Sequence, residues 1–190
     1  GFTIFIMAAA TANVSGGHIN PAVTWAMMWR GLFSKDFSLI KGFGYIMAQC
    51  AGAACGVGML YSVTSFLDGG MVAADAVNFG TPGLTNGLES HGGFLLEMIF
   101  GFILVFVILR TAVQDKLSWA PFAIGMTVFV LALMGGPLTG AAMNPARWFG
   151  PAIISGTLDN ALIYIFAPMS GAVIAVFANW LISRKHQSPE

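Results

Sequence analysis

Charge is what this sequence has little of. Only 8% of its 190 residues are Asp, Glu, Lys or Arg, eight acidic and eight basic, so the net charge is zero. A soluble domain carries roughly 25% charged residues, and this composition argues against a soluble, single-core enzyme. The balanced charge leaves no basic footprint for nucleic acid. Cysteine is almost absent too: Cys50 and Cys55 stand alone. They lack the spacing of a disulfide framework or a metal site, and on a helix they point to different faces. No cofactor and no metal are expected. No Ser/His/Asp arrangement falls on a soluble cleft, so the chain does not read as an enzyme.

What is present is apolar sequence in series, 57% hydrophobic overall, with a mean hydropathy of +0.80. A membrane-spanning helix needs about 20 such residues. Spans are predicted at about 38–63, 92–112, 118–136 and 159–182. The opening run FTIFIMAAATA is shorter and reads, over 1–13, as the end of a helix whose start is absent. No signal peptide is visible. Arg30, Lys35, Lys41, Arg110, Lys116, Arg184 and Lys185 lie between or after these runs. The segment 64–90 is rich in Gly, Asp, Asn, Thr and Pro, has Asp68, Asp75 and Glu89, and has no Lys or Arg. It reads as a polar loop. The positive-inside rule places the basic segments and the C-terminus on the cytoplasmic side and 64–90 opposite. Four spans separate the basic stretch at 30–41 from the basic tail, an even number that leaves both on one side. The stretches at 14–37 and 137–158 are left without a full span, so any part of them that enters the membrane must return to its own side.

The sequence supplies two candidates. SGGHINPAVT at 15–24 and TGAAMNPARW at 139–148 each place Asn-Pro-Ala behind a run of mostly small residues. Asn is a preferred helix N-cap and Pro suits the first helical position, so Asn20-Pro21-Ala22 and Asn144-Pro145-Ala146 both read as helix starts. The first helix reaches Arg30 and Gly31; the second stops within about two turns, near Gly150-Pro151 or shortly beyond. Each is about half a bilayer long, and two such helices entering from opposite sides meet at the midplane. Irregular backbone is tolerated at that depth only where it lines a cavity or is buried in protein. Gly16, Gly17, His18 and Ile19 before one tip, and Gly140, Ala141, Ala142 and Met143 before the other, can present carbonyl acceptors to a narrow pore. Each Asn oxygen caps its own helix and leaves an NH₂ donor for the pore. Two helix N-termini add positive potential. Water fits such a lane, while cations, hydronium included, meet a barrier.

Arg147 is the only ionisable residue beside a pore motif, one turn from the expected midplane, and reads as pore-facing. The sequence leaves His18 open between bracing its loop and lining the pore. Glu97, in GFLLEMIFGF, is expensive in a membrane. It reads as an acceptor for backbone N–H groups of a pore loop, and Gln49 as a similar brace. Gly52 and Gly56 form a small-xxx-small pair suited to close helix contact.

These residues closely resemble the aquaporins, or major intrinsic proteins. SGGHINPAVT and TGAAMNPARWFGPA are similar to that family's two signature loops, and Gln49 and Glu97 fall where relatives carry buried polar braces. The resemblance covers essentially the whole chain and begins inside the family's second helix. It implies an all-α right-handed bundle with two re-entrant half-helices in inverted repeats, and a homotetramer with one pore per subunit. A single channel domain follows: 1–63 as the rest of a first repeat, 64–90 as a non-cytoplasmic connection, 91–183 as a second repeat and 184–190 as a cytoplasmic tail. It also implies an outer filter, with Arg147, Ala141 and Ala132 as three of its members and the fourth before residue 1. Strictly water-selective relatives usually have His where Ala132 stands, and glycerol-conducting ones Asp where Trp148 stands. Tyr164 and Ile165 match neither class. The expected partners are membrane lipid, water and small uncharged solutes such as ammonia, peroxide, glycerol or urea. The plasma membrane and a vacuole-like organelle both stay open. A secondary transporter also uses inverted repeats and broken helices, but here only Glu97 could serve as its coupling centre. A structural junction protein could use the same fold and the 64–90 segment for adhesion.

Overall fold

The computed structural model describes residues 1–185; residues 186–190, most of the expected tail, lie outside the described residues. The described residues are helical, with no strand among them. Helices α1 (Phe2–Ser15), α2 (Pro21–Ser34) and α3 (Leu39–Ser65) form the first half. After α4 (Gly70–Ala76), the second half is built from α5 (Ser90–Ile108), α6 (Ala120–Thr139), α7 (Pro145–Ser155) and α8 (Ala161–Lys185). Four helices, α3, α5 with its continuation, α6 and α8, are long and apolar enough to cross a membrane. At 1.5 Å per residue, α2 rises roughly 21 Å and α7 roughly 16 Å, both short of a roughly 30 Å hydrocarbon core.

Several boundaries differ from the sequence reading. α7 runs through Pro151 to Ser155 and ends on Gly156 in the left-handed region, at φ 73°. Pro151 removes only one helical donor, the one that would have bonded the carbonyl of Arg147. α2 continues past Gly31 to Ser34. The 64–90 connection is not all loop: its MVAADA stretch lies in α4, a 3₁₀ turn follows at Asn78–Gly80, and Ala74 and Phe79 are buried. The helix begun by α5 continues as a π-turn over Leu109–Gln114.

α5 and α8 cross closely because glycines sit at the crossing. A Cβ on Gly101 would lie 2.6 Å from the Pro168 backbone, and one on Gly171 would overlap the Met98 carbonyl. Around this crossing, Val105, Leu109, Ala172, Ala175 and Val176 pack with Ala22, Val23 and Ala26 of α2. A short helix that would be unstable alone is thereby fixed by its apolar face. Gly52 and Gly56 do otherwise than expected: a Cβ on either meets nothing within 4 Å, so no helix among the described residues uses that pair.

Candidate functional site

The two short helices start alike. Asn20 has extended backbone, and its Oδ1 accepts from the N–H of Ala22 at 2.8 Å. Asn144 is also extended, and its Oδ1 accepts from Ala146 at 3.0 Å and Arg147 at 3.3 Å. A proline follows each cap, where its missing N–H costs nothing.

The caps also cross the molecule. Asn20 Nδ2 donates to the Met143 carbonyl at 3.0 Å, and Asn144 Nδ2 donates to the Ile19 carbonyl at 3.0 Å. Each tip is therefore tied to the loop of the other, so the helices face each other with their N-termini together. The sequence reading left both amide hydrogens free; each Asn spends one on the opposite loop and keeps one.

The loops behind the tips hold left-handed backbone at matching places. Gly16 and Gly140 have φ of 84° and 74°, Gly17 and Ala141 63° and 44°, Ile19 and Met143 50° and 54°. Glycine takes this region freely; a β-branched residue such as Ile19 does so only under strain. Successive left-handed residues turn the carbonyls out of any helical ladder.

Beside the tips lies a cavity of about 810 Å³. Gly16, Gly17, His18, Ile19, Gly140, Ala141, Ala142 and Met143 line it, as do Asn20, Asn144, Arg147 and Ala132. Pro21, Ala22, Pro145 and Ala146 instead lie buried in the protein.

Glu97 is fully buried behind the second loop. Its Oε1 accepts from Thr139 Oγ1 at 2.6 Å and from the Ala142 N–H at 2.9 Å, and its Oε2 from the Met143 N–H at 2.7 Å. Charge-assisted bonds of this kind are about twice as strong as neutral ones. Gln49 acts one step removed: Nε2 donates to Thr24 Oγ1 at 2.9 Å, and that hydroxyl also meets His18 Nδ1 at 3.1 Å. The His18 ring packs against Phe37 and Tyr45. It both braces its loop and lines the cavity. Arg147 reaches out of α7, and Nη1 donates to the Gly80 carbonyl at 2.6 Å.

Sequence reasoning missed four partners. Thr24 and Thr139 are fully buried hydroxyls, and their position beside the two motifs was the available signal. Tyr164 donates to the Thr139 carbonyl at 2.7 Å; a tyrosine inside an apolar helix needs such an acceptor. Gly80 contributes only a backbone oxygen, for which no side-chain signal exists. Outside the membrane helices, burial pushes the Asp36 carboxyl up. Hydrogen bonds from Ser34 and Arg30, with the charge of Arg30, outweigh this and hold it below its ordinary value.

The sequence profile of the family described as "Major intrinsic protein" matches residues 1–179. Aquaporin TIP2-3 of Arabidopsis thaliana is 36% identical over 178 residues, covering 92% of this chain and 66% of that protein. Aquaporin-4 of Bos taurus is 40% identical over 182 residues, covering 92% of this chain and 52% of its own. The chain thus spans between half and two thirds of these curated relatives. The X-ray structure of the aquaglyceroporin from Plasmodium falciparum superposes with a TM-score of 0.80 at 25% identity, covering 97% of this chain and 80% of that one.

Proposed function

The chain belongs to the major intrinsic protein family, and on that premise we propose that it is a passive membrane channel for water. Small uncharged solutes, such as ammonia, peroxide, glycerol or urea, are the further cargo; protons and ions are excluded. The observation that carries this reading is the pair of crossed bonds, Asn20 to Met143 and Asn144 to Ile19, beside a cavity that both loops line. Each amide keeps one hydrogen for a permeant oxygen, while neighbouring carbonyls accept from it. A water at the tips is held oxygen-inward between donors. A proton hop through it would need a donor role those amides already fill, and two helix N-termini repel a cation.

Arg147, Ala141 and Ala132 form the outer constriction in this reading. The fixed guanidinium donates to permeant oxygens, and two alanines leave the opening wider and less polar than a histidine would. The chain is one channel domain in the membrane, with repeats at 1–63 and 91–183, the 64–90 connection on the non-cytoplasmic side and the tail from 184 in the cytoplasm. It assembles as a homotetramer with a pore in each subunit. Stopped-flow swelling of proteoliposomes tests this. Water flux with a low activation energy and no dependence on a proton or sodium gradient is expected. Gradient-dependent flux would sink the channel reading in favour of a secondary transporter, and no flux of any solute would favour a structural role.

A further inference from the structure

Among the described residues, four buried side-chain polar atoms have no hydrogen-bond partner, Gln49 Oε1, Trp148 Nε1, Asn179 Oδ1 and Ser183 Oγ, and the last two lie together. They lie one turn apart on α8 and so share a face. Asn179 is only 9% exposed. Both line a second cavity, of about 340 Å³, between the end of α2, the π-turn after α5 and α8. Its walls mix polar and apolar groups. Asn179 is buried in it beside the apolar Leu109 and Val176, while the aromatics at its edge, Phe33, Phe177 and Trp180, are exposed. Two guanidiniums stand at the same end: Arg30 lines the cavity and pairs with Asp36, and Arg184 lies 4.3 Å over the Trp180 ring. Aromatics and arginines at the end of an apolar helix mark a membrane–water boundary.

We propose that this cavity holds the headgroup of a membrane phospholipid bearing free hydroxyls, of the phosphatidylglycerol type. A buried amide oxygen without a donor is costly, and a headgroup hydroxyl is the donor that relieves it at Asn179 Oδ1. Ser183 Oγ donates to the phosphate, with Arg184 nearby, and an acyl chain lies on Phe177 and Trp180. Choline has no donor to offer. An ammonium headgroup would meet the guanidinium of Arg184. Asp36 offsets the charge of Arg30, so selection rests on the hydroxyl rather than on net charge.

The site requires membrane placement but not conduction, so failure of the channel reading leaves it standing. Its test uses the purified full chain in detergent, with lipid retention read by native mass spectrometry. The probes are phosphatidylglycerol, phosphatidylmethanol (the same charge without the hydroxyls) and phosphatidylcholine. Phosphatidylglycerol should be retained roughly fivefold to tenfold more tightly than phosphatidylmethanol, the worth of one or two hydrogen bonds. Asn179→Leu should erase that preference without lowering the unfolding temperature, because it removes an unpartnered polar atom. Equal retention of the two anionic lipids would overturn the proposal, as would an unchanged preference in Asn179→Leu, which would place the hydroxyl contact elsewhere. Should Asn179→Leu fail to fold, Ser183→Ala decides: a roughly twofold to fivefold loss of phosphatidylglycerol is expected, and no loss overturns the site.

Discussion

The two Asn-Pro-Ala loops adopt one backbone and are held by different chemistry. Behind 140–144 stands a carboxylate with three donors, Thr139 Oγ1 and the N–H groups of Ala142 and Met143. At the corresponding places in 16–20, no protein acceptor meets the N–H of His18 or Ile19 among the described residues. That loop leans instead on neutral bonds among Thr24, His18 and Gln49. After the tips the sequences part as well. Val23 packs into the α5–α8 core and meets the cavity only with an apolar side chain, whereas Arg147 brings a guanidinium to it and reaches Gly80. The left-handed backbone at Ile19 and Met143 is strained in both loops, but only the second has charge-assisted bonds to hold it. The rigid loop is also the one that carries the cation, where a small displacement would matter most.

The largest expected effect therefore comes from Glu97→Gln. One amide oxygen cannot replace two carboxylate oxygens, and the new NH₂ would face the N–H of Met143. We expect a loss of about 3–5 kcal/mol, the scale of breaking a buried charged network, together with lost water flux. Thermal unfolding in detergent and stopped-flow swelling measure both. A variant as stable and conductive as the parent would show that the second loop does not depend on its carboxylate.

Arg147→Val makes the second tip resemble the first. Water flux should persist while a proton or cation leak appears, read as dissipation of a pH or salt gradient across vesicles. An unchanged leak with flux retained would mean that the helix N-termini alone exclude charge. Thr24→Val probes the weaker brace. It removes the hydroxyl shared by His18 and Gln49 and should cost about 1–2 kcal/mol, well below Glu97→Gln, with flux largely kept. A cost equal to that of Glu97→Gln would abolish the contrast between the loops.

Much of this was legible because it rests on local rules. An Asn followed by Pro announces a cap and a helix start whatever surrounds it, and both short helices begin there. A lone Glu97 in an apolar run demands donors, and backbone N–H groups of an irregular loop are the ones at hand. What was not legible depends on distant pieces of chain. Gly80 holds Arg147 through a carbonyl that every residue possesses. The use of one amide hydrogen on the opposite loop follows from how the halves approach, which no spacing encodes. Pro151 looked like a stop, yet the helix continues because losing one bond is offset by the packing of Trp148 and Ala152 against Tyr164. Gly52 and Gly56 have the spacing of a contact pair, and no helix among the described residues of this chain meets them.

The smallest effect expected is a change of ratio rather than of stability. Ala132 and Ala141 both line the cavity near Arg147, and Ala132 is an exposed position on α6 facing open space. A histidine there adds bulk and a ring nitrogen opposite the guanidinium without displacing any buried group. Ala132→His should leave the unfolding temperature within about 0.5 kcal/mol of the parent in stability terms, and lower glycerol and urea uptake relative to water. The reason is geometric. The first loop offers no cation at its tip, so in the proposed filter discrimination by size and polarity falls to the residues that share the cavity with Arg147. An unaltered solute-to-water ratio would place the narrowest point elsewhere, at the Asn pair itself, where both loops contribute equally.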